Sequence, residues 1–148
     1  MPKTGDITVK EVMRKRFPKV KSGDSLKSVI KKFYRHNVSI LPVFSGRTFA
    51  GEIRKMNLLK LIIDVDKIPQ EEIIEMGYSV DMGFFAKKAK DLMEKHAVFV
   101  REDDTVKDVA WRMLRNSVRS CPVVRKNKLV GIVMVDDIMG RILKEMKR

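Results

Sequence analysis

The apolar positions of this chain fall into a pattern that is written twice. Leu26, Val29, Ile30 and Phe33 recur at helical spacing, with Val38 beyond them. Lys27, Lys31, Lys32 and Arg35 fill most of the remaining face. Eighty residues on, Val106, Val109, Ala110 and Met113 make the same stripe. Each stripe follows a start signal, Asp24-Ser25-Leu26 and Asp104-Thr105-Val106, in which the Asp is expected to cap the first turn. Before each helix the pattern predicts a short helical turn (Val9, Val12, Met13; Ala89, Leu92, Met93) and a short strand, 17–21 and 98–101. Pro18 marks the first strand as an edge or an irregular start.

After each long helix come two apolar runs separated by turn residues. Strands are predicted at 40–44 and 48–53, joined by Ser45-Gly46-Arg47. Their counterparts are 121–124 and 129–135, joined by the turn at 125–128. A last helix begins near Met56 and near Asp136. Each copy therefore reads α-β-α-β-β-α. A shift of 80 residues aligns 10–60 on 90–140 without a gap, pairing Val20 with Val100, Asp24 with Asp104, Pro42 with Pro122 and Gly51 with Gly131. The expected organisation is a first domain at 7–62, an acidic connector at 63–86 with one short helix near Pro69, and a second domain at 87–146. Copies this small are expected to share a core in one pseudo-symmetric unit.

Charge refines the picture. Of the 148 residues, 32 are Lys or Arg and 19 are Asp or Glu, a formal net charge of +13. Residues 1–60 carry net +11, 61–86 net −5 and 87–148 net +7. Such a chain attracts polyanions in a salt-dependent way, although a lysine-rich surface also serves solubility alone. The basic residues cluster at Arg14-Lys15-Arg16 with Lys19 and Lys21, on the helix face with Lys27, and at Arg125-Lys126-Lys128. Little aromatic interleaving argues against base stacking on single strands. No apolar run reaches the length of about 18 residues that a membrane span needs. The first residues, Met1 to Asp6, do not read as a secretory leader. One cysteine, Cys121, allows neither an internal disulfide nor a cysteine zinc site, and a reducing cytoplasm is the default location.

The order of elements, with Pro-Val on one strand and Gly-apolar-apolar leading into an acidic helix start, resembles the cystathionine-β-synthase (CBS) domain. Two such domains in tandem form a Bateman module. The best-matching stretch is Ser120-Cys121-Pro122-Val123-Val124 through Leu129-Val130-Gly131-Ile132-Val133-Met134-Val135-Asp136-Asp137-Ile138. The resemblance implies an α/β (α+β) fold of two CBS motifs related by a pseudo-twofold. It also implies a regulatory module for AMP, ADP, ATP or S-adenosylmethionine, bound in the cleft between repeats, and flat homodimers.

In the family, a Thr or Ser three residues after the Gly contacts phosphate, and an Asp six residues after it holds the ribose hydroxyls. Asp137 keeps the ribose acceptor, whereas Met134 replaces the hydroxyl. In copy one, Arg54 and Asn57 stand at these places. Arg54 supplies a cation for phosphate, and Asn57 lacks a carboxylate's second acceptor. Copy two is therefore the expected site. The helix starting near Asp136 offers free N–H groups to an anion, and Val98, Phe99 and Val100 with Cys121, Pro122 and Val123 are expected to line an adenine slot. The competing reading is that Asp137, or Asp136 beside it, caps the last helix.

Other chemistry is thin. Cys121 reads as a buried small hydrophobe, and His36 as a helix terminator. His96 lies between helix and strand, and the two histidines give no metal spacing. No cofactor or metal and no catalytic activity is expected. Trp111 falls off the apolar stripe, opposite Lys31 of copy one, and is a candidate dimer contact. Met82, Phe84 and Phe85 are expected to dock the connector. Two alternatives stay open: an electrostatic nucleic-acid-binding protein on this scaffold, and a structural dimer with decayed ligand sites.

Overall fold

The computed structural model describes residues 4–78, 84–95 and 98–147. The chain is α+β, and its elements follow the doubled order. Copy one gives α1 (Val9–Val12), β1 (Val20–Lys21), α2 (Leu26–Arg35), β2 (Ile40–Ser45), β3 (Thr48–Arg54) and a 3-10 helix (Lys55–Ile62). A further 3-10 turn (Val65–Lys67) and α3 (Gln70–Glu75) form the connector. Copy two gives α4 (Ala89–Leu92), α5 (Val106–Asn116), β4 (Ser120–Arg125), β5 (Lys128–Met134) and α6 (Val135–Met146).

The chain divides into two compact units, and neither is a contiguous copy. One comprises Met1–Phe17 with His96–Arg148, the other Pro18–Lys95. Each unit thus joins the body of one copy to the first segment of the other.

In the first unit β4 and β5 form an antiparallel hairpin in which Arg125 faces Lys128. Lys126 and Asn127 both take positive φ, as the tight two-residue turn of a twisted hairpin requires. The register slips by one residue between Val123 and Val124. Val100 adds a parallel bridge to Val123, so the predicted strand 98–101 is reduced to a single bridge. Val9, Val98, Val100, Val106, Val109 and Met113 pack in one core with Cys121, Val123, Val133 and Ile138. Cys121 is fully buried, as a small hydrophobe should be.

The second unit repeats these devices. β1, β2 and β3 lie side by side, β1 parallel to β2 and β2 antiparallel to β3. The register slips at the matching place, between Val43 and Phe44. Val20, Val29, Phe33, Leu41, Val43, Ile53, Ile73, Ala89 and Leu92 are buried. Ile30, expected on the core stripe of α2, is instead 45% exposed.

Two local expectations shift. The helix caps are one residue later than predicted: Ser25 and Thr105 side chains accept the N–H of Ser28 and Asp108, each at 3.2 Å. Asp24 and Asp104 instead tie the preceding turns, accepting from the N–H of Lys21 at 2.9 Å and of Arg101 at 2.8 Å. The carboxylate and the hydroxyl each satisfy a different free donor. Copy one's last element is a 3-10 helix where copy two has a twelve-residue α-helix.

Candidate functional site

Gly131 fixes the geometry around Asp137. The segment after α1 crosses β5 here: Arg14 N–H donates to the Ile132 carbonyl at 2.8 Å, and Ile132 N–H returns to the Arg14 carbonyl at 3.0 Å. A Cβ on Gly131 would stand 2.8 Å from the Arg14 carbonyl oxygen and 2.9 Å from the Met13 sulfur. Only a residue without a side chain lets the two backbones approach this closely. Four residues on, α6 begins, and six residues on stands Asp137.

The Asp137 carboxylate has two partners. Oδ1 accepts from Arg14 Nε at 2.9 Å, and Oδ2 accepts from the Met134 N–H at 3.1 Å. The second bond is the helix-capping role weighed from the sequence; the first was not anticipated. The Asp137 side chain is only 15% exposed, whereas that of Arg14 is 40% exposed. Asp136, one residue earlier, points outward and is exposed. Farther along α6, Arg141 binds Glu145 at 2.9 Å and Glu11 of α1 at 3.2 Å. Glu11 also takes the Thr8 N–H at 2.8 Å. That backbone bond, then the Arg141 guanidinium, hold its carboxyl below the usual range.

The remaining copy-two candidates are placed as follows. Met134 is buried at the end of β5. Val98, Val100, Cys121 and Val123 fill the unit's core, with Pro122 buried beside them. Phe99 alone of the six expected slot residues is exposed, at 45%. Its carbonyl accepts from Arg112 at 3.0 Å, and Arg112 also pairs with Asp104 at 3.0 Å.

The second unit carries the same crossing with different chemistry. Glu94 N–H donates to the Glu52 carbonyl at 2.8 Å, and Glu52 N–H to the Glu94 carbonyl at 2.9 Å. A Cβ on Gly51 would stand 2.7 Å from the Glu94 carbonyl oxygen. Asn57, buried, donates from its side-chain amide to the Glu94 carboxylate. Arg54 Nε lies 3.9 Å from the same carboxylate. The 80-residue shift pairs Arg14 with Glu94 and Asp137 with Asn57. The carboxylate therefore sits on the helix in one unit and on the crossing segment in the other.

Lys60 joins this cluster. The three-residue period of the 3-10 helix aligns Arg54, Asn57 and Lys60 on one face. Lys60 is buried, with Nζ 3.9 Å from the Tyr78 ring centroid and 5.8 Å from that of Phe84. Burial pulls its pKa down, and the Glu94 charge opposes the shift. Glu94 and Lys60 carried no sequence signal of their own, and Arg14 stood out only as part of a basic cluster, not as a partner of Asp137. The repeat held a signal for Arg14 and Glu94, since it aligns opposite charges opposite an Asp and an Asn.

Trp111 is 64% exposed on α5, off the apolar stripe as its position required. Phe84 lies half-buried against Tyr78, while Phe85 is 60% exposed. Met82 and His96 lie outside the described residues. Among the described residues no group of three His, Cys, Asp or Glu is arranged to hold a metal, and no helix is long and apolar enough to cross a membrane.

The sequence profile of the CBS domain matches residues 9–64 and 89–144. The chain is 24% identical over 155 residues to the uncharacterized protein MJ1426 of Methanocaldococcus jannaschii, covering 93% of this chain and 92% of that protein. Two other proteins of that organism match only in part: MJ0188 at 44% over 54 residues and MJ1225 at 24% over 132 residues. This chain spans 20% and 41% of their lengths. Among solved structures, CBSX2 in complex with AMP is 25% identical with a TM-score of 0.79, over 96% of this chain and 99% of that one. The CBS domain pair of MJ0100, solved with 5′-methylthioadenosine and S-adenosylmethionine, has a TM-score of 0.68 at 22% identity, over 95% and 98%. The latter likeness is one of fold.

Proposed function

Since the chain belongs to the CBS-domain family, with two copies in tandem, we propose that it is a regulatory module binding an adenosine-containing ligand, with Asp137 as the ribose acceptor. The candidate ligands are AMP, ADP, ATP and S-adenosylmethionine. The likeness to CBSX2, which holds AMP, supports this class of ligand.

The observation that carries the reading is the state of the Asp137 carboxylate. It offers about four lone-pair positions. Arg14 and the Met134 N–H use two, which leaves acceptor capacity for two vicinal hydroxyls. Its two partners also fix its orientation before any ligand arrives, which lowers the cost of binding. Met134 has no hydroxyl to offer a phosphate. Arg14 does the equivalent work: only its Nε is engaged by Asp137, and its half-exposed guanidinium has further donors for an anion. Phe99 contributes exposed apolar surface for a base. In copy one the Asn57 amide is already committed to Glu94, so that copy is the weaker ribose site.

Ligand binding shifts the population of module conformations, and a partner protein reads that shift. A homodimer contacting through Trp111 belongs to the same reading. The test is thermal stability measured against each of the four ligands. At 100 times the dissociation constant the bound state gains about 2.7 kcal/mol. No stabilisation by any of them at millimolar concentration rejects the sensor and favours a purely structural module, in which the Arg14–Asp137 pair serves folding alone.

A further inference from the structure

We propose that the outer face of α2 is a binding surface for the phosphate backbone of double-stranded nucleic acid. Leu26–Arg35 carries four cations and no carboxylate. A hollow of about 280 Å³ lies on this face, lined by Ser25, Lys27, Ser28, Lys31, Lys32 and Arg35 and by no apolar side chain. Lys27, Lys31 and Arg35 are exposed, and none has an ion-pair partner among the described residues. Lys32 is the exception in orientation, since its Nζ donates to the Lys19 carbonyl.

The second copy shares this arrangement only in part. There the cation equivalent to Lys32 is Arg112, which Asp104 neutralises at 3.0 Å. The neighbouring Arg125 is paired with Glu102 at 3.1 Å. Ser28 is replaced by Asp108 and Lys31 by Trp111. Copy two pairs Arg112 and Arg125 and adds a carboxylate on α5, while Lys107 and Arg115, the equivalents of Lys27 and Arg35, remain exposed; α2 keeps four cations and no acid.

Four cations with no carboxylate among them, around a hollow lined by no apolar side chain, fit a phosphate array better than an acidic protein; of the apolar residues of α2, Ile30 and Tyr34 are exposed, at 45% and 92%, outside that hollow. Protein interfaces are built around apolar or aromatic centres and are poor in lysine. Lys27, Lys31 and Arg35 follow one another by about 6 Å along the helix. Over the resulting span of about 12 Å a duplex offers about seven phosphate charges. Such contacts position a duplex and read no sequence.

The experiment is fluorescence anisotropy with a labelled duplex of mixed sequence across a salt series. Two triple variants of equal charge change are compared: Lys27→Glu/Lys31→Glu/Arg35→Glu on α2, and Lys107→Glu/Arg115→Glu/Lys126→Glu in copy two. Thermal melts confirm that both fold. The proposal expects the α2 variant to lose affinity by about tenfold or more and its log–log salt slope to shrink by about 2 to 3, at about 0.9 per phosphate. The copy-two variant should keep most of its binding. Equal losses in both variants, or none in the α2 variant, overturn the assignment. Competition by poly-glutamate as effective as by duplex of equal charge overturns the choice of nucleic acid in favour of an acidic protein. Adenosine ligands play no part in this readout, so failure of the ligand site leaves it unaffected.

Discussion

Arg14 and Asp137 stand 123 residues apart in the chain and 2.9 Å apart in space. Their repeat counterparts, Glu94 and Asn57, are joined in the same way in the second unit. Two crossings built alike thus present a carboxylate from opposite partners. In the first unit it is anchored on the helix start, where it accepts the Met134 N–H. In the second it rides on the crossing segment, beside Arg54.

Gly131 is needed for space rather than for flexibility, so its substitution should be costly while that of Gly140 is not. Gly131→Ala must push a methyl group against the Arg14 carbonyl and should destabilise the chain by about 1–3 kcal/mol. Gly140 lies within α6 with nothing within 4 Å of an added Cβ. Gly140→Ala should stabilise by about 0.5–1 kcal/mol through helix propensity. Urea denaturation of both variants checks this; a neutral Gly131→Ala contradicts the packing account.

Lys60 gives the chain an alkaline signature. Its folded pKa lies below 10.5, so the unfolded chain binds more protons between the folded value and 10.5. Stability contributed by this group therefore rises with pH across that window. Lys60→Met should remove the rise, so that the wild type gains on the variant as pH climbs toward 10.5 in urea titrations. Parallel curves for the two proteins would show that burial does not perturb Lys60.

Glu11 works on the acid side. Its carboxyl is lowered from 4.5 by the Thr8 N–H first and by Arg141 next. A depressed carboxylate contributes stability that is complete above its unfolded pKa and is lost as pH falls through the folded one. Glu11→Gln should be less stable than the wild type near neutral pH, with the difference closing below 4.5. A pH-independent difference in melting temperature would assign the effect to packing.

Arg14 should separate from Asp137 in its ligand dependence. Arg14→Ala is expected to lower stability by on the order of 1 kcal/mol, because its partner keeps the helix-cap bond. It should weaken AMP more than adenosine, since only AMP carries the phosphate it is proposed to meet. Equal weakening of both ligands would remove Arg14 from the phosphate role.

Much of the architecture was readable from periodicity. The two long helices, both hairpins and the connector helix lie where the apolar spacing and turn residues put them, because these signals are local. Trp111 was legible for the same reason: its angle on α5 excludes it from the core. Which copy receives which first segment is not encoded in any local period. It depends on the pairing of Arg14 with Ile132 and of Glu94 with Glu52, across long loops. The caps moved by one residue because Ser25 and Thr105 take the first-turn donors of Ser28 and Asp108, while the adjacent aspartates take those of Lys21 and Arg101 in the preceding turns. Ile30 is exposed because a helical stripe marks a face without fixing its width. Within the candidate site, Asp137 and Asn57 were visible by position. Their partners Arg14 and Glu94 were not, since both come from the crossing segments.

The most direct measurement is calorimetric titration with AMP and with its 2′,3′-dideoxy analogue, on the wild type and on Asp137→Ala. The account predicts that the wild type binds AMP, that the analogue binds at least about tenfold more weakly, and that Asp137→Ala abolishes this preference. Equal affinity of the wild type for both compounds would contradict a carboxylate that holds the sugar.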